Sequence, residues 1–341
     1  MKITATFIDE ISHDIPHQNW GPKEWRQDFL HMKAIGIDTV VMIRCGFRKF
    51  LTYPSPYLTN TMACFSPTQD LVKLFLELAT ECGFDFYFGI YDSGEYWDTG
   101  DMSVEIEVNK KVIEEAYEKY GQSPAFKGWY LSLELSRKTK GAVSAIRDLG
   151  RHAKAVSGGL PVLISPWIDG PKAVMAVSSE LTKTRGISLE THAQEWEEIF
   201  KGIQGAIDIV AFQDGHLNFE DLKDYLAVNK ALADKYGFIS WTNTESFDRD
   251  MPIKFFPIKF DKLHYKLSKA QEVGMSKAIT FEFSHFMSPQ SAYLQAGHLY
   301  NRYMAHYLHH GTDDLNEGIR STLSQRIVRG GHSFLGKILT G

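Results

Sequence analysis

The sequence predicts an α/β fold, a (β/α)8 TIM barrel in a single domain. Three observations predict it. Eight short β-rich runs alternate with helical patterns, successive runs begin about 30 to 47 residues apart, and all eight lie within residues 1–310. A TIM barrel needs about 250 residues plus insertions, which this length provides. A doubly wound open sheet is disfavoured because no predicted strand is followed by a glycine-rich phosphate-binding motif.

The predicted elements follow in chain order. The strands are rich in β-branched and aromatic residues and cover 3–8, 39–44, 84–91, 128–133, 161–166, 207–213, 238–243 and 278–283. The helices carry start and stop signals such as Pro22, Ser188 and Gly83, and cover 22–36, 66–83, 141–156, 188–200, 219–236, 259–273 and 289–308. No linker divides residues 1–310. Residues 311–341 are predicted to be a C-terminal tail, with a short helix or partial disorder.

Composition and charge exclude several classes of protein. Lys plus Arg total 37 and Asp plus Glu total 42, a net charge of -5 that gives no general attraction to nucleic acid or to an anionic membrane. The three cysteines form no C-x-x-C pair, which favours a reducing compartment. The sequence shows neither a secretory signal nor the roughly 18 apolar residues of a membrane span. We therefore expect a cytoplasmic protein.

Three glutamates lie at predicted strand ends, where TIM barrels place their chemistry. Glu134 ends the fourth strand, Glu245 the seventh and Glu282 the eighth. Glycoside hydrolysis needs one protonated carboxyl to donate to the leaving oxygen and one ionised carboxylate. Because strands four and seven face each other across the barrel, Glu134 and Glu245 are predicted to flank a bound sugar.

The other polar and aromatic residues near the strand ends are predicted to bind substrate. Polar side chains would hold sugar hydroxyls, and tryptophans would stack on the apolar faces of sugar rings. These candidates are Asp9, Glu10, Trp20, Arg44, Tyr91, Asp92, Trp97, Trp167, Gln213, Asp214, Trp241, Asn243 and His285.

Five segments resemble a bacterial TIM-barrel family of unknown function whose members are often described as glycosyl hydrolases. They are TFIDE at 6–10, WGPKEW at 20–25, MKAIGIDTV at 32–40, KGWYLSLE at 127–134 and WTNTE at 241–245. The resemblance covers most of residues 1–310. It implies a barrel fold and action on a carbohydrate.

More loosely, the strand-end glutamates resemble the layout of the large clan of retaining TIM-barrel glycosidases. By position, that likeness implies that Glu134 is the acid/base and Glu245 the nucleophile. The clan commonly has Asn directly before the strand-four Glu, where this chain has Leu133. The contact of that Asn with the sugar 2-hydroxyl would be absent or supplied elsewhere, and Glu282 stays open for either role.

The sequence therefore predicts a glycoside hydrolase for a small glycoside or oligosaccharide, without a cofactor or metal. Two alternatives remain open. One is a metal-dependent sugar isomerase or epimerase, because an oxygen-rich divalent site is conceivable from Glu134, Asp214, His216, Glu282 and His285. The other is a carbohydrate-binding barrel without catalysis, since a fold does not dictate an activity.

Overall fold

Eight parallel strands close into a barrel in the computed structural model, which describes residues 1–12, 15–96, 101–133, 139–170, 187–249 and 255–309. The strands of these residues are β1 (Ile3–Ile8), β2 (Thr39–Met42), β3 (Gly46–Phe47), β4 (Phe50–Leu51), β5 (Asp85–Gly89), β6 (Tyr91–Asp92), β7 (Phe126–Tyr130), β8 (Val162–Ile164), β9 (Ile209–Gln213), β10 (Ile239–Asn243), β11 (Phe247–Asp248), β12 (Phe256–Pro257) and β13 (Lys277–Thr280). The barrel order is β1-β13-β10-β9-β8-β7-β5-β2, and β1 closes the ring by pairing with both β2 and β13. The predicted TIM barrel is confirmed.

Helices follow the barrel strands and surround them. Within the described ranges they are α1 (Pro22–Ala34), α2 (Pro56–Thr61), α3 (Leu71–Cys82), α4 (Ser103–Tyr120), α5 (Ala142–Ser157), α6 (Leu189–Ile203), α7 (Leu222–Tyr236), α8 (Phe260–Glu272), α9 (Phe283–Phe286) and α10 (Leu294–Leu308). Local signals set their ends: the Asp70 side chain accepts a hydrogen bond from the Lys73 N–H at 2.9 Å, and Gly83 ends α3 in the left-handed conformation. Of the helices in these ranges, none has the length and apolar character needed to cross a membrane.

The predicted elements are largely those observed. Each of the eight predicted strands corresponds to a barrel strand, and each of the seven predicted helices corresponds to a helix. Helix α4 was not predicted, and the eighth strand was predicted too long, since β13 ends at Thr280 and α9 begins at Phe283. The predicted tail, 311–341, lies outside the described residues.

The core has two parts, one inside the barrel and one between the barrel and the helices. The interior contains side chains from alternate strand positions, among them Phe7, Tyr87, Tyr130 and Trp241. Gly128 makes room for this packing, because a Cβ there would lie 2.3 Å from the Tyr87 ring. The larger outer core packs the opposite strand faces against the helices. The interior is therefore filled, and open space for a ligand must lie at the strand ends.

Two small sheets extend the carboxyl ends of the barrel strands. Strands β4, β3 and β6 form a three-stranded sheet after the second and third barrel strands. Strands β11 and β12 form an antiparallel pair after the seventh. These sheets hold the loops at the barrel mouth in regular hydrogen-bonded structure.

A buried carboxyl, Asp28, joins the first helix to the segment after the last barrel strand. Its Oδ2 accepts a hydrogen bond from the Ser284 hydroxyl at 2.8 Å, and its Oδ1 accepts one from Ser288. Burial raises the pKa of Asp28 to about 7, against the hydrogen bonds from the two serines. This contact ties the start of the barrel to its end.

We expect Asp28→Asn to remove a pH dependence of stability. The folded protein keeps the Asp28 proton up to about pH 7, whereas the unfolded chain loses it near 3.8. The free energy of unfolding of the wild type therefore falls as the pH rises between these values, by an amount on the order of 1–4 kcal/mol. Urea unfolding from pH 4 to pH 8 measures this fall, and an equal fall in the variant would contradict the assignment.

Candidate active site

A layer of polar side chains closes the barrel interior at the strand ends. The Asn243 amide donates to the Ser165 hydroxyl at 3.0 Å, and the Gln213 amide donates to the Ser165 carbonyl at 2.8 Å. The Asn243 Oδ1 atom is buried and has no hydrogen-bond partner within the described parts of the chain. Gln213 and Asn243 thus lie together at the mouth, and one acceptor there is left for a donor such as a ligand hydroxyl or an ordered water.

Glu245 follows β10 and forms a two-point ion pair with Arg249. The arginine Nε lies 2.8 Å from Oε2 and Nη2 lies 2.7 Å from Oε1. The Gly215 backbone lies against this pair, since a Cβ at Gly215 would come within 2.0 Å of Glu245 Oε2. The two parallel hydrogen bonds fix the plane of a carboxylate whose side chain is 3% exposed.

The main chain of Glu245 is held by a second ion pair. Lys266 extends from α8 to the mouth, where its Nζ lies 2.7 Å from Asp214 Oδ1 and 3.2 Å from the Glu245 carbonyl oxygen. The same Asp214 oxygen accepts the Glu245 N–H at 3.2 Å. Lys266 and Asp214 together fix both polar atoms of the Glu245 backbone.

These contacts determine the charge of Glu245. Burial alone would raise its pKa, but the positive charges of Arg249 and then Lys266 hold the pKa of Glu245 below its ordinary value. The pKa of Asp214 is raised by burial and by the negative charge of Glu245, against the attraction of Lys266. Glu245 is therefore an ionised carboxylate at neutral pH, the form that a nucleophile or a general base requires.

A third ion pair, which is also buried, lies at the ends of the second and third barrel strands. Arg44 Nη1 donates to Asp92 Oδ2 at 3.0 Å, and the Arg44 guanidinium lies 5.1 Å from the Phe47 ring centre. Burial raises the pKa of Asp92, against the positive charge of Arg44. Arg44 and Asp92 meet as partners of each other, an arrangement that the sequence did not predict.

Glu282 holds the loop that follows the eighth barrel strand. Its carboxylate accepts hydrogen bonds from the Ser284 N–H at 3.1 Å and from both the N–H and Nδ1 of His285, at 2.6 and 2.5 Å. The His285 Nε2 donates to the Pro16 carbonyl at 2.7 Å. Burial alone would lower the pKa of His285, but Glu282 raises it to about 9. Glu282 and His285 therefore form an ion pair that joins this loop to the loop after β1.

Asp9 and Glu10 follow β1 on the same side of the mouth. One Asp9 oxygen, Oδ1, accepts the N–H groups of Ile11 and Ser12 at 3.0 and 2.9 Å. The other Asp9 oxygen and Glu10 Oε2 are buried without a partner among the residues that the structure describes. Burial raises the pKa of Glu10, against the nearby charges of His285 and His17. Both side chains thus offer acceptors that a ligand hydroxyl could satisfy.

The predicted aromatic residues separate into different environments. Trp167 is half-buried at the mouth, with its ring 5.7 Å from His216. Trp241 packs inside the barrel, edge-on to Tyr87 at 6.3 Å, and Trp20 packs edge-on to Trp25 of α1 at 5.0 Å. Trp167 is thus placed to meet a ligand, whereas Trp241 and Trp20 are packing residues in this structure.

Tyr91 faces the helix layer. Its ring belongs to the outer core, and its hydroxyl donates to the Arg48 carbonyl at 2.5 Å. Tyr91 therefore packs on the helix side of the mouth and does not line it.

Two predicted residues, Glu134 and Trp97, lie outside the described residues. Of the other four residues proposed for a divalent site, three have nearer partners: Asp214 bonds Lys266, and Glu282 bonds His285. The fourth, His216, has its ring against Trp167. In the described ranges, no three His, Cys, Asp or Glu side chains converge as metal ligands.

Sequence reasoning missed Arg249 and Lys266. Lys266 carries a signal that was present in the sequence, because it lies in the apolar stripe of α8 that includes Leu263, Leu267 and Ala270. A lysine among buried apolar positions indicates a buried acidic partner. Arg249 directly follows β11 and carries no comparable signal.

We expect Lys266→Met to destabilise the protein strongly, because it leaves the Asp214 carboxylate buried without its cation. Removing one partner of a buried pair costs about 3–5 kcal/mol. Urea unfolding measures the loss. The matched control is Lys269→Met on the same helix, whose partner Glu272 is 40% exposed and whose loss should leave the free energy of unfolding nearly unchanged. Equal losses in the two variants would refute the role of Lys266.

We also expect His285 to stabilise the protein less as the solution becomes alkaline. Its folded pKa of about 9 exceeds the ordinary 6.5, so its contribution is complete below pH 6.5 and is lost as the pH rises through 9. The difference in melting temperature between wild type and His285→Gln should therefore shrink over that interval. A difference that stays constant from pH 6 to pH 10 would show that the Glu282–His285 charge pair contributes nothing.

Most of the chain matches a known protein family. The model of a family described as a domain of unknown function, DUF4434, matches residues 3–293. No curated protein matches the sequence. A crystal structure from Bacteroides thetaiotaomicron, of a protein provisionally named an alpha-L-fucosidase, is 61% identical with a TM-score of 0.85 and covers 89% of this chain and 92% of its own.

Two endo-1,4-beta-mannanases share the fold at much lower identity. The Rhizomucor miehei enzyme is 11% identical with a TM-score of 0.55, over 82% of this chain and 86% of its own. The Thermotoga petrophila enzyme is 10% identical with a TM-score of 0.53, over 82% of this chain and 67% of its own. These two show that the barrel architecture occurs in glycoside hydrolases. The chain itself belongs to the DUF4434 family of domains of unknown function.

Proposed function

We propose that the protein is a glycoside hydrolase that uses Glu245 as its ionised carboxylate. The observation that carries the proposal is the environment of Glu245 at the end of the seventh barrel strand. Its carboxylate is fixed by Arg249 at 2.7 and 2.8 Å, and its backbone is fixed by Asp214 and Lys266. Such preorganisation of a charged group is what nucleophilic catalysis at a sugar carbon requires.

Glu282 is a weaker choice for the second carboxyl. Its oxygens accept three N–H groups, one of them from the His285 ring, and its side chain is fully buried. A proton donor must present its carboxyl to the leaving oxygen, whereas these three N–H groups already occupy the oxygens of Glu282. We therefore assign the proton donor to Glu134, as its position after the fourth strand implies.

The proposed reaction uses the two carboxyls in sequence. Glu134 gives its proton to the leaving oxygen while Glu245 attacks the anomeric carbon, and the bond between that carbon and the leaving oxygen breaks. Glu134, now ionised, then takes a proton from water, whose oxygen displaces Glu245 from the sugar. The products are a free sugar and the released alcohol, and both carboxyls return to their starting state.

An alpha-L-fucoside is the first substrate to test. The support is the name of the 61% identical Bacteroides thetaiotaomicron protein, which spans nearly the whole barrel. The buried acceptor atoms of Asp9 and Asn243 suit a sugar that presents hydroxyl donors.

We expect Glu245→Gln and Glu134→Gln each to lower kcat on 4-nitrophenyl alpha-L-fucoside by about 10²–10⁴-fold. Neither change alters side-chain size, and circular dichroism should show an unchanged fold. Glu107→Gln is the matched control, since the Glu107 side chain is 74% exposed on α4, and its activity should equal that of the wild type.

This assay and two related measurements separate the rival functions. Activity that both glutamine variants retain would remove the two-carboxylate mechanism. No release of 4-nitrophenol, together with an EDTA-sensitive interconversion of free sugars, would favour the metal-dependent sugar isomerase. Sugar binding without turnover on a panel of fucosides, mannosides and xylosides would favour a carbohydrate-binding barrel.

A further inference from the structure

The hairpin of β3 and β4 has one covered face and one face toward the barrel mouth. Gly46 pairs with Leu51 and with Tyr91, and these two side chains belong to the core on the helix side. Phe47 has the opposite orientation, because it packs in the barrel interior and lies under the Arg44 guanidinium. The face that carries Phe47 is therefore the face toward the mouth.

Phe50 lies on the same face as Phe47. The two residues are directly opposite each other in the antiparallel pair, and opposite residues project to the same side of a sheet. Phe65 is bridged to Phe50, and their ring centres are 5.7 Å apart. Phe50 and Phe65 are 61% and 62% exposed, the highest values among the large hydrophobic residues that the structure describes. They form an exposed aromatic pair beside the Arg44–Asp92 ion pair.

The backbone beneath this aromatic pair is held firmly. The Arg48 N–H donates to the Asp92 carbonyl at 2.8 Å, and the Arg48 carbonyl accepts the Tyr91 hydroxyl. The Phe65 N–H donates to the Lys49 carbonyl at 2.7 Å. Ordering these rings against a ligand would therefore cost little conformational entropy, which favours a binding role.

We propose that Phe50 and Phe65 form a platform that binds the leaving-group side of the substrate, through an aryl group or the C–H face of a second sugar ring. This inference rests on the proposed function, since it extends the same site outward from the cleaved bond. The ligand is small and flat or ring-shaped, because the platform adjoins the mouth on the Phe47 face and its backbone is fixed. Single exposed apolar residues are ordinary on protein surfaces, but two adjacent rings at the rim of a site indicate binding.

The test compares the binding of paired glycosides that differ only in the leaving group. Phenyl and methyl glycosides of alpha-L-fucose, beta-D-mannose and beta-D-xylose are titrated calorimetrically into full-length Glu245→Gln protein, which prevents hydrolysis. We expect the phenyl glycoside of the accepted sugar to bind about tenfold more tightly than the methyl glycoside. Adding Phe50→Ala and Phe65→Ala together should abolish that preference.

Two further variants control for folding and for general surface effects. Phe50→Tyr keeps the ring and should keep the preference for the phenyl glycoside. Leu30→Ala removes another exposed apolar side chain, 48% exposed on α1, and should leave both affinities unchanged.

Each outcome decides between the platform and its rivals. A phenyl preference that survives in the Phe50→Ala, Phe65→Ala protein overturns the inference and leaves the hydrolase proposal standing. Absence of a phenyl preference overturns the inference, and self-association that this double substitution abolishes in sedimentation would then assign the two rings to contact with a second copy of the chain. A phenyl preference that depends on the two rings, in a wild type that hydrolyses none of the glycosides, supports the platform and refutes the hydrolase. Failure of every glycoside to bind refutes both.

Discussion

The cost of burying negative charge governs the arrangement of the barrel mouth. A carboxylate removed from water is stable only beside a cation or several N–H donors, and the mouth supplies both kinds of partner. Arg249 and Lys266 surround Glu245 and Asp214, Arg44 meets Asp92, and His285 meets Glu282. These pairs neutralise the buried charges and also fix the loops that carry them. The contacts that permit burial therefore also hold Glu245, the candidate nucleophile, in position.

The alternation of β-rich runs with helical patterns and the spacing between successive runs were sufficient to predict the barrel, because each buried parallel strand is a short apolar run of distinctive composition. Helix α4 escaped prediction for a physical reason: its N-cap residue is Met102, whose side chain cannot cap a helix, and it is only weakly amphipathic over a highly charged sequence. The eighth strand was predicted too long because Glu282 caps a helical turn whose apolar residues resemble a strand. In both places tertiary packing decides what local sequence does not.

The positions of the candidate site residues could be predicted from the sequence, but their ion-pair partners could not. Strand ends bring Glu245, Asp214 and Asn243 together whatever the side chains, since parallel strands all end at one rim. Which cation pairs with which carboxylate depends on how α8 packs against the barrel. No short sequence motif determines that packing. Tyr91 shows the limit well, because a register difference of one residue turns a side chain from the mouth to the helix layer.

The contact of Asp28 with Ser284 and Ser288 has a consequence for synthesis of the chain on the ribosome. Strand β1 pairs with β13, so the first strand leaves the exit tunnel long before its neighbour on one side has been made. Until residues 278–288 emerge, the nascent chain keeps an open strand edge and an unsatisfied Asp28 beside it. The barrel therefore closes only after residue 288 has emerged, and chaperones that shield strand edges can act throughout the interval between β1 and that residue.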